Sequence, residues 1–351
     1  MRLRIRSLRA RPRGAVAGAC LLAVACGPDE PDPATAVDLG APGPFSVGTL
    51  DTTFVAPDGS ERRLQAWYPS RDDVDAPVTY DGIWDGGAGE GLEPACEETL
   101  PTVLFSHGMG GVRWQSAFLT EHLASHGYVV IAPDHPGSTF LDFDFDALTE
   151  TALRRPSDIA EAFDWLTGAD EVEVARCIDA SQGYAVSGHS FGGYTAFATS
   201  GAGVWVPDAP EAVSLGDDRV WGVVALAPWD VDGMLVPETM GEVFAPTLLL
   251  SGGRDRDTPW DLVEGLFGGL EISPRRLGQF PDGGHASFAP ITCLIWPDED
   301  GCGEDYLDEA VVFRLVNQSS VAFLEAVRPG GADIGGYPED SPDLWWAETT
   351  P

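Results

Sequence analysis

The most restrictive feature of this sequence is a Gly-His-Ser-Phe-Gly-Gly stretch at residues 188–193. It follows a short apolar run at 184–187, which predicts a buried strand, and it precedes residues 194–198, whose composition predicts a helix. A strand that turns directly into a helix holds its middle residue, here Ser190, in a strained conformation, and only small residues fit two positions before and after it. The stretch therefore predicts a serine hydroxyl held up into a cleft, with the N-terminus of a helix beneath it.

Strand and helix patterns alternate along the rest of the chain. Strands are predicted at 45–55, 62–68, 102–106, 128–132, 184–187, 220–227, 246–250 and 275–280, and helices at 114–125, 157–166, 194–198, 259–266 and 304–327. This alternation predicts an α/β fold with a mostly parallel central sheet and helices on both faces. Residues 72–98 are Gly-rich and acidic, which predicts a long loop, and residues 201–218 form at most a short lid, so no large cap domain is expected.

The N-terminal region is typical of an export signal. Six arginines and no acidic residue precede an apolar run at 15–25 that is too short to span a membrane. The Leu-Ala-Val-Ala-Cys sequence ending at Cys26 resembles a bacterial lipobox, although Ala23 stands where leucine is usual. We therefore expect a lipid anchor on Cys26, with ordinary secretion as the alternative. The predicted organisation is a signal at 1–26, a flexible Pro-rich tether at 27–44, an α/β domain at 45–328 and an acidic C-terminal extension at 329–351, packed over the surface or disordered.

The charge of the chain excludes some partners. Its formal net charge is −36, from 20 arginines, no lysine and 56 acidic residues. Without the six signal arginines, 14 basic residues remain against 56 acidic ones, a net charge of −42. Such a surface repels nucleic acid and anionic membranes, so contact with a membrane is expected only through the anchor on Cys26. The sequence does not indicate an oligomeric state.

Four cysteines follow the signal, and an even number in an exported protein predicts two disulfides. Of the three pairings, Cys293–Cys302 would close a short acidic loop, and Cys96–Cys177 would join the lead-ins of two strands. The spacing contains no CxxC pair, so a zinc site is not expected. The acidic runs at 142–146 and 298–300 are weak calcium candidates that we interpret as solvated loop edges. No metal or cofactor is therefore predicted.

The turn at 188–193 is similar to the nucleophile elbow of α/β-hydrolases, in which an acid and then a histidine follow the serine along the chain. A serine needs a base and an orienting acid to act as a nucleophile. His285 is the single histidine after Ser190, and it lies in a Gly-rich loop. Asp255, just past a predicted strand, is the favoured acid, and Asp230, after the preceding strand, is the alternative. Asp257 is a weaker third option.

A tetrahedral intermediate also needs two backbone N–H donors. One is expected from Phe191, which opens the helix after the serine. The other is expected from Met109, in the His-Gly-Met-Gly-Gly turn at 107–111. His107 and His189 are interpreted as loop braces, not bases.

Four ordered motifs, at 103–108, 123–128, 133–137 and 188–193, resemble the bacterial dienelactone-hydrolase-like group and are similar to platelet-activating-factor acetylhydrolases. The resemblance implies a serine esterase that uses Ser190, His285 and the amides of Phe191 and Met109. The acetylhydrolase pattern places the acid at Asp230 and the commoner hydrolase pattern at Asp255. A serine where dienelactone hydrolases proper carry a cysteine argues against lactonase activity.

Aromatic residues near the expected carboxyl ends of the strands are candidates for lining a substrate cleft. They are Trp114, Phe140, Phe143, Phe145, Trp205, Trp229 and Trp260. A shallow apolar cleft suits a small-molecule or lipid ester, either short-chain or otherwise accessible, including phospholipid esters and polyesters. We therefore expect an exported serine carboxylester hydrolase. The alternatives are a catalytically silent surface-binding protein of the same fold and an acyltransferase.

Overall fold

A computed structural model describes residues 37–350 of the chain. The strands are β1 (Ser46–Val55), β2 (Glu61–Ser70), β3 (Pro77–Tyr80), β4 (Trp84–Glu90), β5 (Thr102–Ser106), β6 (Val129–Pro133), β7 (Tyr184–His189), β8 (Gly203–Val204), β9 (Val213–Ser214), β10 (Val220–Leu226), β11 (Thr247–Gly252), β12 (Arg275–Phe280) and β13 (Trp345–Thr350). The α-helices are α1 (Ala117–Ser125), α2 (Leu148–Thr167), α3 (Phe191–Thr199), α4 (Trp260–Gly268), α5 (Ile291–Ile295) and α6 (Glu309–Val327).

Eleven of these strands form one sheet, in the order β13-β12-β11-β10-β7-β5-β6-β2-β1-β4-β3. Six adjacent strands are mutually parallel, namely β12, β11, β10, β7, β5 and β6. Strands β13 and β2 flank them in antiparallel orientation. The predicted mostly parallel central sheet is therefore confirmed.

Helices cover both faces of the sheet. Phe163 of α2, Phe197 of α3 and Leu266 of α4 belong to one apolar cluster, while Leu123 of α1 and Phe323 of α6 belong to another. Strand β5 contributes side chains to both clusters, because its side chains alternate between the two faces of the sheet. A strand buried on both sides is a continuous apolar run, which is why β5, β6 and β7 could be recognised in the sequence.

Helix α2 begins nine residues earlier than the predicted start at 157 and contains Pro156 in its interior. A proline cannot donate to the carbonyl four residues before it, here that of Ala152. The hydroxyl of Tyr194 donates to this carbonyl at 3.3 Å and so satisfies the group that the proline leaves without its helical partner. A tertiary contact that the sequence does not reveal therefore allows the longer helix.

The prediction of a long loop at 72–98 was wrong. These residues contain β3 and β4, which extend the sheet beyond β1. The glycines of β4 permit close approach: a Cβ on Gly86 would lie 2.5 Å from the ring of Tyr80. Composition alone cannot separate a glycine that packs in this way from a glycine in a loop.

Both ends of the predicted domain also differ from the structure. In the C-terminal extension, β13 pairs antiparallel with β12 as an edge strand of the sheet, so this part is neither disordered nor simply packed over the surface. Within the tether, Leu39 is buried and its carbonyl accepts a hydrogen bond from His122 Nε2 at 2.8 Å. The signal, Cys26 and the rest of the tether up to residue 36 lie outside the described residues.

The carboxyl ends of the parallel strands share one edge of the sheet. Met109 follows β5 there, Ser190 follows β7, Asp255 follows β11 and His285 follows β12. Distant parts of the sequence thus converge on one place.

Candidate active site

Ser190 lies in the tight turn between β7 and α3 with a φ of 56° and a ψ of −116°. A positive φ is unfavourable for a residue with a side chain, so the turn stores backbone strain at this serine. Its neighbours must be glycine: a Cβ on Gly188 would lie 2.3 Å from the carbonyl oxygen of Gly192, and one on Gly192 would lie 1.8 Å from that of Ser106. The strained turn predicted from the sequence is present in the structure.

The imidazole of His285 contacts the carboxylate of Asp255, with Nδ1 2.9 Å from Oδ2. The other carboxylate oxygen accepts the amide N–H groups of Asp257 at 2.9 Å and Thr258 at 2.7 Å, and the Thr258 hydroxyl donates to Oδ2 at 2.7 Å. The Asp255 carboxylate is fully buried and held from several sides. Because Nδ1–H donates to Asp255, the Nε2 of neutral His285 is left as an acceptor.

Asp230 does not reach His285 in the described part of the chain. It is half-buried, and burial is the main cause that raises the pKa of its carboxyl. Of the two aspartates that the sequence left open, the structure brings Asp255 to the histidine. We refer to Ser190, His285 and Asp255 as the cleft cluster.

The electrostatic surroundings of His285 are negative. Burial lowers the pKa of the imidazole, but the hydrogen bond and charge of Asp255 and the charges of Asp257 and Asp300 outweigh burial, so the pKa is raised above its ordinary value. Within residues 37–350, neither Ser190 Oγ nor His285 Nε2 has a hydrogen-bond partner, and both side chains line the same cleft. The two groups are thus available to each other and to a ligand.

Two backbone amides near Ser190 are also available. Among the described residues, the N–H groups of Met109 and Phe191 make none of the backbone hydrogen bonds that fix the turns around them. Met109 lines the cleft with Ser190, and Phe191 is the first residue of α3, where helical N–H groups have no intrahelical acceptor.

A second serine, histidine and aspartate lie together beneath the Met109 turn. Ser106 Oγ is 2.9 Å from His135 Nε2, and His135 Nδ1 is 2.9 Å from Asp158 Oδ2. All three side chains are buried, and none lines the cleft. We refer to them as the buried cluster. Ser106 and His135 lie in the motifs at 103–108 and 133–137, but nothing in the sequence indicated that these residues meet Asp158.

Arg155 connects the buried cluster to the turns above it. Its guanidinium donates to Ser106 Oγ at 3.1 Å, to Ser138 Oγ at 2.7 Å and to the carbonyl of His107, and it lies 4.2 Å from the ring centroid of Phe191. One buried cation thus contacts the turn that carries Met109 and the residue that opens α3. Burial lowers the pKa of Arg155 to about 9.

The other two histidines near the turns make backbone contacts, as the brace interpretation expects. His107 Nε2 accepts the amide of His135 at 3.0 Å, and His189 Nε2 lies 3.0 Å from the carbonyl of His285. Gln115, which no sequence motif indicated, links the turn at 107–111 to the end of β7: its Oε1 accepts the amide of Gly108 at 3.0 Å, and its Nε2 lies 3.1 Å from His189 Nδ1.

The cleft has a volume of about 520 Å³, within the usual range for small-molecule sites. Three of the predicted aromatic side chains line it, namely Phe143, Phe145 and Trp229. Trp296 also lines it, which the sequence does not indicate, because residues 293–302 are typical of an acidic loop.

The other aromatic candidates were wrong. Trp114 is 1 % exposed and donates through Nε1 to Asp81 at 2.8 Å, so it is a core residue. Phe140 packs against the cluster that contains α1 and α6, and Trp260 pairs with Trp345 of β13 at 6.0 Å between ring centroids. Trp205 does not line the cleft, nor does any residue of the proposed lid at 201–218.

Both favoured disulfides are present. Cys96 is bonded to Cys177 across 81 residues, and Cys293 to Cys302 across nine. The second closes the loop that carries Trp296.

The acidic runs are occupied by contacts within the protein. Asp142 accepts the amides of Gly137 and Thr139, and Asp144 accepts that of Asp146. Asp300 is buried and accepts the amide of His285, a contact that the sequence did not suggest. In the part of the chain that the structure describes, no group of three or more His, Cys, Asp or Glu side chains is arranged to hold a metal ion.

Comparisons with known proteins find partial matches to this chain. A family model described as chlorophyllase matches residues 92–204, which include Met109 and Ser190 but neither Asp255 nor His285. Chlorophyllase-1 of Citrus sinensis is 32 % identical over 110 residues, 31 % of this chain and 31 % of the relative. Cutinase est1 of Thermobifida alba is 29 % identical over 176 residues, 49 % of this chain and 47 % of the relative. The chain thus spans less than half the length of the curated relatives it matches.

Among solved structures, a ferulic acid esterase from Streptomyces cinnamoneus superposes with a TM-score of 0.66 at 22 % identity. The superposition covers 89 % of this chain and 100 % of the esterase. Together with the sheet order and the turn at Ser190, this likeness establishes the α/β-hydrolase fold. The narrower resemblance to dienelactone hydrolases and acetylhydrolases stays a prediction.

Proposed function

We propose that this protein is a serine carboxylester hydrolase that acts through an acyl-enzyme. The observation that carries the proposal is the 2.9 Å contact between His285 Nδ1 and Asp255, with His285 Nε2 and a strained Ser190 left free in one cleft. The named relatives, a cutinase, chlorophyllases and a ferulic acid esterase, support the same reaction class.

The first half of the proposed reaction forms the acyl-enzyme. Ser190 Oγ attacks the ester carbonyl carbon while its proton passes to His285 Nε2. The negative charge that develops on the carbonyl oxygen is stabilised by the N–H groups of Met109 and Phe191. The C–O bond to the alcohol then breaks, and the alcohol leaves with the proton from His285.

The second half returns the enzyme to its starting state. Water attacks the acyl carbon and gives a proton to His285, and the same two amides stabilise the second intermediate. Collapse returns the proton to Ser190 Oγ and releases the carboxylic acid. Throughout, Asp255 holds one tautomer of His285 and stabilises the imidazolium that forms transiently.

We propose short-chain or otherwise accessible esters as substrates, among them acetyl, phospholipid and polyester linkages. Phe143, Phe145 and Trp296 are each at least 40 % exposed at the cleft, which favours an apolar acyl or alcohol group. The strongly acidic surface disfavours polyanionic substrates.

We also propose that the protein is exported. Two disulfides support an oxidising compartment. The signal at 1–26 and the lipid anchor on Cys26 rest on the sequence pattern alone. Globomycin, which blocks processing of lipidated precursors, should leave an unprocessed form if Cys26 is lipidated and have no effect if the protein is simply secreted.

Hydrolysis of p-nitrophenyl acetate and butyrate tests the reaction class. We expect turnover by the wild type and none above background by Ser190→Ala. The matched control is Ser187→Ala, which removes a buried hydroxyl on the same strand that does not line the cleft. A wild type without turnover favours the silent binding protein, and retention of most activity by Ser190→Ala contradicts the assignment of the nucleophile. Added alcohol that captures most of the acyl group favours an acyltransferase.

A further inference from the structure

Asp300 is a buried carboxylate inside an otherwise accessible acidic loop. The loop is closed by the Cys293–Cys302 disulfide, and Asp298, two residues before Asp300, is exposed to solvent. Asp300 itself is 1 % exposed. A carboxylate is expensive to bury unless its oxygens accept hydrogen bonds, so its contacts indicate what it stabilises.

The two carboxylate oxygens of Asp300 bond to two different loops. Oδ1 accepts the amide N–H of His285, and Oδ2 accepts the amide N–H of Arg256 at 2.7 Å. Arg256 directly follows Asp255, so one carboxylate joins the loop of the proposed base to the loop of the proposed acid. The carbonyl of Asp300 adds a third bond, from the amide of Ala286 at 2.8 Å.

The loop that carries Asp300 packs backbone against backbone on the histidine loop. A Cβ on Gly284 would lie 2.3 Å from the amide nitrogen of Gly301. Gly301 has a φ of 93°, and a Cβ on it would lie 2.5 Å from the amide nitrogen of Ser287. The loop also supplies Trp296 and Glu299 to the cleft wall. A displacement of this loop is thus expected to move the histidine.

We propose that Asp300 is a positioning residue for the proposed hydrolysis: it holds the Asp255 loop against the His285 loop so that Nδ1 meets Asp255 and the imidazole stays in the cleft that Ser190 lines. The inference rests on the proposed function for its effect on turnover. Its effect on His285 itself does not depend on that function.

The charge of Asp300 gives the proposal a distinctive signature. The charged and titratable groups that face His285 are Asp255 and Asp257 from the acid loop, Asp300 from the disulfide-closed loop, and His189 from the end of β7. Arg256 pairs with Asp300 from the exposed side. Replacing Asp300 by asparagine removes one negative charge, so the imidazolium is less stabilised and the pKa of His285 falls.

The test compares Asp300→Asn with Asp298→Asn, which removes an exposed charge from the same loop. The first readout is the pH dependence of kcat and KM for p-nitrophenyl butyrate. The second is the pKa of His285, measured by NMR titration in a Ser190→Ala background, which needs no ester turnover.

For Asp300→Asn we expect kcat to fall at least tenfold with little change in KM, and both the acid limb and the NMR pKa to move to lower pH. Asp298→Asn should match the wild type. Wild-type turnover in Asp300→Asn, or lower turnover with an unchanged pKa of His285, overturns the proposal.

Asp300→Glu keeps the test decisive if Asp300→Asn does not fold. It retains the charge but lengthens the side chain, so we expect kcat to fall severalfold while the pKa of His285 stays near that of the wild type. A wild-type kcat in Asp300→Glu overturns the proposal that Asp300 positions the two loops. A wild type without ester turnover refutes the proposed function, and the pKa comparison then still tests the contact between Asp300 and His285.

Discussion

The cleft cluster and the buried cluster contain the same three residue types with the same central contact. In both, a histidine Nδ1 lies 2.9 Å from an aspartate Oδ2. They differ in what surrounds that contact. Three carboxylates act on His285 and raise its pKa. Burial lowers the pKa of His135 well below the ordinary value, and the charges of Arg155, Arg154 and Arg62 act in the same direction.

They differ equally in the state of the serine. Ser106 is the last residue of β5, and its hydroxyl accepts from Arg155, so it donates to His135 Nε2. Ser190 has a strained backbone, a free hydroxyl and a cleft in front of it. The three residue types therefore do not define the chemistry. The chemistry is defined by a histidine nitrogen that is free to take a proton, in the same cleft as a free serine hydroxyl.

The largest effect is expected from Asp255→Asn. An asparagine at this position favours the wrong tautomer of His285, and turnover should fall about 10³- to 10⁴-fold with little loss of stability. The measurement is kcat/KM for p-nitrophenyl butyrate beside Asp230→Asn, which should stay near wild type because Asp230 does not contact His285. A larger loss in Asp230→Asn would contradict the assignment of the acid.

Asp158→Asn is expected to have the opposite effect, a large loss of stability with a much smaller loss of turnover. It breaks the buried ion pair with Arg62 and the hydrogen bond to His135, which should lower the free energy of unfolding by about 3 kcal/mol. Arg62 keeps Asp58 and Glu161 as partners, so we expect a loss of stability at the lower end of the range that is usual when a buried ion pair is broken. Turnover per folded molecule should fall far less than in Asp255→Asn.

Urea denaturation measures this loss, with Asp164→Asn as the control. Asp164 pairs with Arg219 but is 60 % exposed, so its loss should cost less than about 1 kcal/mol. Equal losses of stability in the two variants would count against a structural role for the buried cluster.

The acid limb of the pH dependence of activity should report the protonation of His285. His285 must be neutral to accept the proton of Ser190, so kcat/KM should fall about tenfold for each pH unit below its pKa. Since that pKa is raised, the acid limb should have its midpoint above 6.5, whereas His135 stays neutral over the same range. A midpoint below 6.5 would refute the negative environment assigned to His285.

A smaller effect is expected at the cleft wall. Trp229 lines the cleft and lies 5.6 Å from the ring of Phe191, so Trp229→Ala should raise KM for p-nitrophenyl butyrate about tenfold, equivalent to about 1.4 kcal/mol. Trp260→Ala, which removes a tryptophan outside the cleft, is the matched control. Equal KM values in both variants would contradict this map of the cleft.

The sequence was sufficient where the chemistry is local or unique. The glycines around Ser190 predict the turn, and His285 was identified because no other histidine follows that serine. The sequence leaves Asp255 and Asp230 open as the acid, because they follow neighbouring parallel strands, β11 and β10. The path of the histidine loop brings only one of them into contact.

What the sequence could not predict depends on long-range packing. Ser106, His135 and Asp158 come from three elements without a shared motif, and Asp300 is indistinguishable from its solvated neighbours until the loops meet. Strand β4, next to one edge of the sheet, and the edge strand β13 could not be recognised, because their sequences are rich in glycine or acidic residues. Trp114 was misplaced because position near a strand end does not reveal which way a side chain points.

The role of Ser190 as the nucleophile is tested most directly by the site of labelling with a fluorophosphonate, which reacts with activated serines. The intact wild-type protein is labelled and digested, and the modified peptide is identified by mass spectrometry. We expect a single label on Ser190, no label on Ser106, and no labelling of Ser190→Ala. An unlabelled wild type, or a label on any other serine, would contradict this role of Ser190.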